Sequence, residues 1–284
     1  MKKMMTALML AALAASMAAL PALAADEVVQ EEQPNYTVSA SADILSAYVS
    51  KGVTGNDEPV FQPEVYVEMP YGFGFDVWAN MNITDANCNW DPKTGGKWSE
   101  FDLSLEWTAP IEGPVSVTVG GTYFVYPQAT GDVIVATEEE AENVKAGAPA
   151  DGDYELFVKA GVDCILQPTL EFYHDCQSGS DWYFLGKIGH DFELTDLLGL
   201  HLGATVGFVG DDFAERYNSD DGAAFSHAQF DAKLGYAVTD AFEVHAKASF
   251  STLIDGDIRD GVEDMYDDID CEIFYGGVGC GYTF

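Results

Sequence analysis

Basic residues are scarce in this chain, which has Lys+Arg 12 against Asp+Glu 48 and a formal net charge of -36 over 284 residues. Proteins that bind nucleic acid neutralise its phosphates with lysine and arginine, so this balance argues against a nucleic-acid partner. Cations suit the composition better, because hard divalent ions prefer carboxylate oxygens as ligands.

Long apolar runs are also missing after residue 24, where no stretch approaches the roughly 18 consecutive apolar residues that a spanning helix requires. The one such run, 4–20, follows two lysines and precedes Ala22-Leu23-Ala24, which has the form of a signal-peptidase site. We therefore expect a cleaved signal peptide over 1–24 and an acidic lead over 25–35. A mature chain that enters a membrane must then form a closed barrel, since lipid cannot satisfy an open strand edge.

Catalytic motifs are absent as well: the chain has no Walker loop, zincin helix or G-x-S-x-G, and it lacks the phospholipase pattern His-x-Ser-Asn-Gly. Ser226 and His227 are neighbours in a predicted strand, so we expect them on opposite faces, where they cannot pair as nucleophile and base. We predict that the chain is not an enzyme. An outer-membrane lipid hydrolase that depends on one histidine or serine is the last-ranked alternative.

Five cysteines are present without CxxC or metal-finger spacing, and their odd number leaves at least one unpaired within the chain. An oxidising periplasm permits pairs such as Cys164 with Cys176 or Cys271 with Cys280, and the sequence does not choose between pairings. For Cys164 and Cys280 we favour the interpretation that they are small apolar residues in strands.

Strict alternation marks the last residues of the chain, where Phe274, Val278, Tyr282 and Phe284 share one face and the other face is mostly glycine. Aromatic ends on an apolar face are typical of a lipid-facing barrel strand, and an ordinary buried strand is the alternative. Alternation and turn punctuation predict about 12 strands in all. They lie near 36–49, 59–69, 73–85, 98–109, 114–125, 153–164, 168–176, 181–194, 199–210, 224–238, 241–253 and 272–284.

The connectors between these strands alternate in length, with 177–180 as the one exception. Short turns on one side and long loops on the other are characteristic of bacterial outer-membrane barrels. The fold class that we predict is therefore all-β: a single transmembrane antiparallel barrel over 36–284, with both termini on the periplasmic side of a Gram-negative outer membrane.

The two faces of the predicted strands differ in polarity, as lipid outside and a wet or ion-paired lumen inside require. Carboxylates outnumber lysines on the polar face, so a water-filled pore would prefer cations. The alternative that lysines and carboxylates pair and fill the interior stays open, because a barrel of this size is intermediate between filled and wide ones. The expected lumen-lining residues are Asp76, Asp102, Glu106, Glu155, Asp231 and Glu243, with Lys233 and Lys247.

The segment 254–271 is the most charged connector, and its ordinary interpretation is a solvated surface loop. A weak calcium or magnesium site is the other interpretation, although the spacing does not fit an EF-hand. Its candidate ligands are Asp255, Asp257, Asp260 and Asp264. Together with the connector 126–152, this segment supports a rival function, a closed structural or surface-binding barrel that contacts cations, lipopolysaccharide or a partner.

The opening strand, VSASADILSAYVSKG at 38–52, resembles that of the TorF-like (Gcw_chp) outer-membrane proteins, and later strand motifs to about residue 175 resemble that family too. Lys51 stands where the family usually has arginine. The resemblance implies an outer-membrane barrel of undefined function and carries over no active site. We expect a small porin-like channel for ions or small solutes. Its expected partners are outer-membrane lipid, lipopolysaccharide and, through the carboxyl-terminal strand, the barrel-assembly machinery.

Overall fold

The computed structural model describes residues 36–84, 95–127, 153–176, 181–216, 222–265 and 270–284. The predicted signal peptide 1–24, the acidic lead 25–35 and most of the connector 126–152 lie outside these residues. Within the described ranges, no helix is long and apolar enough to cross a membrane.

Twelve antiparallel strands close into one barrel, which confirms the predicted fold class. Closure is made by β1, which pairs with β14 on one side and β4 on the other, so that Ser41 is in register with both Gly281 and Glu64. The barrel strands are β1 (Thr37–Leu45), β4 (Val60–Glu68), β5 (Phe73–Asn82), β6 (Lys97–Thr108), β7 (Val115–Val125), β8 (Asp153–Val162), β9 (Thr169–Asp175), β10 (Trp182–Thr195), β11 (Leu198–Val209), β12 (Ala224–Ala237), β13 (Phe242–Leu253) and β14 (Glu272–Thr283).

The outer surface of the barrel is apolar because alternate side chains point away from the lumen. Large hydrophobic side chains stand exposed there, among them Leu105, Leu156, Phe230, Phe274 and Val278. An exterior of this kind is stable against lipid and would aggregate in water.

In the described part of the chain, two short α-helices follow barrel strands, α1 (Asp211–Arg216) after β11 and α2 (Gly256–Met265) after β13. The expectation of a plain solvated loop over 254–271 is wrong for α2. Asp255 caps this helix, since its Oδ1 accepts the backbone N–H groups of Asp257 and Ile258 at 3.0 Å each. Ile258 and Val262, one turn apart, are fully buried.

The predicted first strand, 36–49, ends four residues early, at Leu45, and the chain then forms a small hairpin before β4. Its strands are β2 (Tyr48–Ser50) and β3 (Val53–Asn56). The two turn residues, Lys51 and Gly52, both have positive φ, at 52° and 82°. A two-residue turn of this kind matches the twist of its strands, and glycine adopts it without strain while lysine does so rarely.

The four described cysteines, Cys164, Cys176, Cys271 and Cys280, are free thiols. Cys280 lies in β14, as expected, whereas Cys164 lies in the turn after β8 and not in a strand. Cys271 is buried beside α2, and this burial raises the pKa of its thiol to about 11. The fifth cysteine, Cys88, falls outside the described residues.

Candidate functional site

The β2–β3 hairpin folds into the barrel and reaches across the lumen. In the chain, the hairpin lies between β1 and β4, and its tip contacts β10. Counted around the closed barrel, β10 is the fifth strand from β1 in one direction and the sixth from β4 in the other. Thr54 and Asn56 of the hairpin are buried to 2% and 1% exposure, although they belong to a connector. The hairpin therefore narrows the lumen from within.

Near its base, the hairpin is held against β5 and β6. The Tyr48 hydroxyl donates to Glu100 Oε2 at 2.7 Å, and the Tyr48 ring lies 5.7 Å from that of Trp78. Burial, and then the neighbouring Glu100 charge, raise the pKa of the Tyr48 phenol well above its ordinary value. The phenol therefore keeps its proton and remains a donor. Asn56 Nδ2 also donates to Asn82 Oδ1 at 2.8 Å.

At its tip, the hairpin presents one cation to the far side of the lumen. Lys51 Nζ lies 3.4 Å from Glu155 Oε2 and 4.1 Å from the centre of the Tyr183 ring. The Tyr183 hydroxyl donates to the same Glu155 oxygen at 3.2 Å. The Lys51 ammonium is thus held by a charge and an aromatic face together.

The next residue, Gly52, packs directly on His227 of β12, because a side chain at Gly52 would collide with the imidazole. Val53 packs against an apolar cluster beside the hairpin tip, defined here as the lid cluster. This cluster joins α1 and α2 to the ends of the barrel strands and contains Tyr183, Val209, Phe213, Leu253, Ile258, Val262 and Cys271. The hairpin tip is therefore fixed by apolar packing as well as by charge.

One wall of the lumen, formed by β12, β13, β14 and β1, is an ion-paired wall. Lys233 Nζ lies 2.7 Å from Glu243 Oε1, and Lys247 Nζ lies 2.6 Å from Asp43 Oδ2. His245 Nε2 bonds the other oxygen of Asp43 at 2.7 Å. Gly279 lies between them in the ladder, and its missing side chain leaves the space in which this bond forms.

A second wall, formed by β4, β5 and β6, is an acidic wall. Among the described residues, its carboxylates Glu64, Asp76, Glu100 and Asp102 have no lysine, arginine or histidine within ion-pair distance. Asp76 and Asp102 each keep one buried oxygen without a hydrogen-bond partner in the structure. The wall also carries Glu106, which pairs with Lys159 of β8 at 3.6 Å. Negative charge is thus concentrated on one side of the lumen.

Tyrosine hydroxyls donate to several lumen carboxylates. Tyr66 donates to Glu106 at 3.0 Å and Tyr173 to Glu171 at 2.7 Å. The rings of Tyr173 and Tyr183 are stacked, with centroids 4.5 Å apart. Aromatic faces and carboxylates therefore line β8 to β10 together, a pairing that polarity alternation alone does not reveal.

The predicted lining residues all lie at lumen-facing positions in the register of the closed barrel. Asp76 and Asp102 belong to the acidic wall, and Glu155 holds the hairpin tip. Lys233, Glu243 and Lys247 are used in ion pairs of the ion-paired wall. Asp231 accepts from Gln229 and Ser249 at 2.9 and 2.6 Å. Sequence reasoning missed Asp43, Tyr48 and Lys51 as members of the site.

The predicted metal ligands Asp255, Asp257, Asp260 and Asp264 lie on and before α2, where Asp255 already serves as the helix cap. Among the described residues, no group of three or more His, Cys, Asp or Glu side chains is placed to hold a metal ion. Weak divalent binding at this segment stays a prediction.

The expectation that Ser226 and His227 lie on opposite faces is wrong. A bulge in β12 opposite Gly207 and Phe208 places both side chains inside, where Ser226 Oγ lies 2.9 Å from His227 Nδ1. Both residues are buried, and the Nδ1 side of the ring faces Ser226 while the ring packs on Gly52. The pair has no described carboxylate to orient the imidazole, and its visible role is to seat the hairpin.

At the opposite, short-turn end, a cavity of about 470 Å³ lies against β1, β4 and β13. Its inward-facing lining includes Ser39, Ser41, Glu64, Tyr66 and Glu243, and the turn residue Thr239 stands at its rim.

No protein-family model matches the chain, and no curated protein matches it. Among solved structures, it is similar to the NanC porin, with 9% identity, 86% of this chain and 98% of that chain covered, and a TM-score of 0.50. It is also similar to the KdgM porin (9% identity, 87% and 99% covered, TM-score 0.47) and to an outer-membrane channel from Pseudomonas putida F1 (8%, 91% and 100%, 0.47). At such identity, the likeness to the NanC porin shows that the chain has the fold of an outer-membrane porin barrel.

Proposed function

We propose that this protein is a porin-like channel of a Gram-negative outer membrane, through which small solutes diffuse with a preference for cations. The apolar exterior of a closed barrel supports the membrane location, since only lipid accommodates such a surface around a charged interior. The porin fold of the structural neighbours points the same way. The TorF-like family membership stays a prediction.

The observation that carries the cation preference is the acidic wall beside the hairpin. The lumen lysines Lys159, Lys187, Lys233 and Lys247, and Lys51 on the hairpin, each lie within 4.0 Å of a carboxylate. Their charge is thereby compensated locally. The acidic-wall carboxylates other than Glu106 have no cation within 4.0 Å among the described residues, so the net field beside the hairpin is negative. A negative field in a narrow aqueous path raises the local concentration of cations and repels anions.

The reversal potential of the folded protein in a planar bilayer, under a potassium chloride gradient, tests this proposal. We expect conductance with a reversal potential of the sign that marks potassium as the more permeant ion. Asp102→Asn removes one uncompensated charge beside the hairpin and should move the potential toward zero. Glu112→Gln is the matched control, because it removes one carboxylate from the exposed turn 109–114. An anion-selective or unselective pore contradicts the cation preference.

The rival function is a closed barrel that acts through its outer surface, and the lid cluster is the observation that favours it. The lid cluster packs α1 and α2 against the ends of barrel strands beside the hairpin tip. Correctly folded protein that stays electrically silent would support this rival. Shortening the segment that carries α2 should then abolish surface binding, whereas in a channel it should leave conduction in place.

A further inference from the structure

The contact between Lys51 and the far wall has the chemistry of a bound ligand. A primary ammonium group lies over the Tyr183 ring at 4.1 Å and beside Glu155 at 3.4 Å. Aromatic faces attract such cations through the ring quadrupole, and more strongly when water is partly excluded, as it is at these two buried residues. The site therefore binds an organic ammonium group through an ion pair with Glu155 and through the face of the Tyr183 ring. The ion pair alone would not distinguish an ammonium group from a metal ion.

A second ammonium has similar surroundings on β8, the strand that also carries Glu155. Lys159 Nζ lies 4.2 Å from the centre of the Phe157 ring and 3.6 Å from Glu106 Oε2. The rings of Phe157 and Tyr173 are 5.9 Å apart, and Tyr173 stacks on Tyr183. A continuous aromatic surface thus joins the two places at which this lumen holds an ammonium group.

Of these two ammonium groups, only that of Lys51 belongs to an element outside the barrel wall, the β2–β3 hairpin. Lys159 is fixed in β8, whereas Lys51 reaches its position from the hairpin, with a backbone φ of 52° that L-residues adopt rarely. The two-residue turn sets this backbone conformation, and Glu155 and Tyr183 hold the ammonium group. The side chain of Lys51 keeps 32% exposure whereas that of Glu155 keeps 7%, so a solute reaches the Glu155 carboxylate by taking the place of the Lys51 ammonium.

We propose that Glu155 and Tyr183 form a binding site for organic cations that carry a primary ammonium group, and that Lys51 is a tethered occupant which such solutes displace. This inference deepens the proposed function, because it names a solute class for the lumen. The acidic wall supplies the approach for a second positive charge, so linear diamines fit the site better than monoamines do. Displacement frees the hairpin tip from its only described ionic contact with the far wall.

Calorimetric titration of the detergent-folded barrel with cadaverine, a linear primary diamine, tests the proposal. In Lys51→Ala the site is vacated, and we expect cadaverine to bind roughly tenfold more tightly than to the wild type, as a partly desolvated cation–aromatic contact plus an ion pair allows. Lys51→Arg keeps a tethered cation and should retain the weaker, wild-type affinity. Equal affinity in Lys51→Ala and the wild type overturns the proposal. Heat-dependent migration on a detergent gel verifies folding, and Lys51→Met serves as a second vacated variant.

Two further comparisons separate the site from a general acidic surface. In the Lys51→Ala background, Tyr183→Phe keeps the ring and should keep the gain, while Tyr183→Leu and Glu155→Gln should each lose it. Mg²⁺, titrated in parallel, should show a smaller gain in affinity than cadaverine, because the Tyr183 ring is not expected to contribute to Mg²⁺ binding. An equal gain for Mg²⁺, or a gain that survives Tyr183→Leu, overturns the proposal.

Binding is measured without conduction, so the two proposals fail separately. A barrel that is silent in the bilayer but binds cadaverine as described would overturn the channel and leave the site. A cation-selective channel with no affinity change in Lys51→Ala would overturn the site and leave the channel.

Discussion

The ion-paired wall and the acidic wall line the same lumen but use their charges differently. On the ion-paired wall, Asp43 satisfies both His245 and Lys247, and Glu243 satisfies Lys233. On the acidic wall, Asp76 and Asp102 each leave a buried oxygen unbonded within the structure. Paired charges largely cancel each other's field and desolvation cost, whereas uncompensated buried charges cost stability and create a field. The first wall therefore joins its strands by ion pairs, and the second is the wall to which we assign the proposed cation preference.

Removing the hairpin should have the largest effect on this comparison, because in the proposed channel the hairpin keeps the conduction path against the acidic wall. Replacing 47–57 by a short glycine-serine link should raise single-channel conductance severalfold and reduce ion selectivity, since solutes would then pass farther from Asp102 and Glu100. Single-channel recording in planar bilayers measures both effects. Unchanged conductance would mean that the hairpin does not bound the path.

Gly52→Ala should have the same effect in smaller measure, because the added methyl group would collide with His227 and lift the tip away from β12. Gly113→Ala is the matched control: Gly113 also has positive φ, at 111°, but a side chain there would meet no atom within 4 Å. Both variants carry the backbone strain, and only Gly52→Ala should raise conductance. Equal recordings from the two would refute the packing role of Gly52.

The free energy of unfolding should depend more on the ion-paired wall than on the acidic wall, the reverse of what we expect for ion selectivity. Asp43→Asn leaves His245 and Lys247 without their shared carboxylate, and we expect it to lower the free energy of unfolding by about 1–3 kcal/mol. Asp102→Asn should change it little or raise it, because it removes a carboxylate that lacks an ionic partner. Urea titration of the refolded barrel in lipid vesicles measures both. A larger loss in Asp102→Asn would reverse the roles assigned to the walls.

The smallest expected effect concerns the lid cluster. Burial raises the pKa of Cys271 to about 11, so its thiol stays protonated at pH 8 and reactivity should rise only as the pH approaches that value. The exposed Cys164 should react with a maleimide far sooner. Peptide mass spectrometry over a pH series resolves the two sites. Because the folded pKa is raised, any stability that the buried thiol contributes is present below the unfolded pKa and lost as pH rises through 11.

Sequence reasoning succeeds where one physical rule acts locally. Lipid outside and water inside impose period-two alternation on each strand, so 12 strands and their faces follow from the chain. The positions of Asp76, Asp102 and Glu155 on the lumen face follow from the same rule.

The hairpin was missed because alternation continues through Tyr48 and Val49, so one long strand fits the pattern equally well. The sequence does carry one signal for the hairpin: Lys51-Gly52 has the form of a two-residue turn, and residues that favour strands stand on both sides of it. The sequence also carries a signal for α2: Asp255 is a helix-capping residue type, and Ile258 and Val262 follow it with helical spacing. Contacts such as Lys51 with Glu155 join residues 104 positions apart, and the β12 bulge depends on pairing with β11. No local pattern encodes either.

The most direct test of the account compares charge removal on the two walls at once. Asp76→Asn with Asp102→Asn removes two carboxylates from the acidic wall, and Lys233→Gln with Glu243→Gln removes one complete ion pair from the other wall. The measurement is the reversal potential of both double variants and the wild type in one potassium chloride gradient. We predict that the first double variant loses most of its cation preference while the second keeps it. Equal potentials for the two double variants would contradict the claim that the acidic wall sets selectivity.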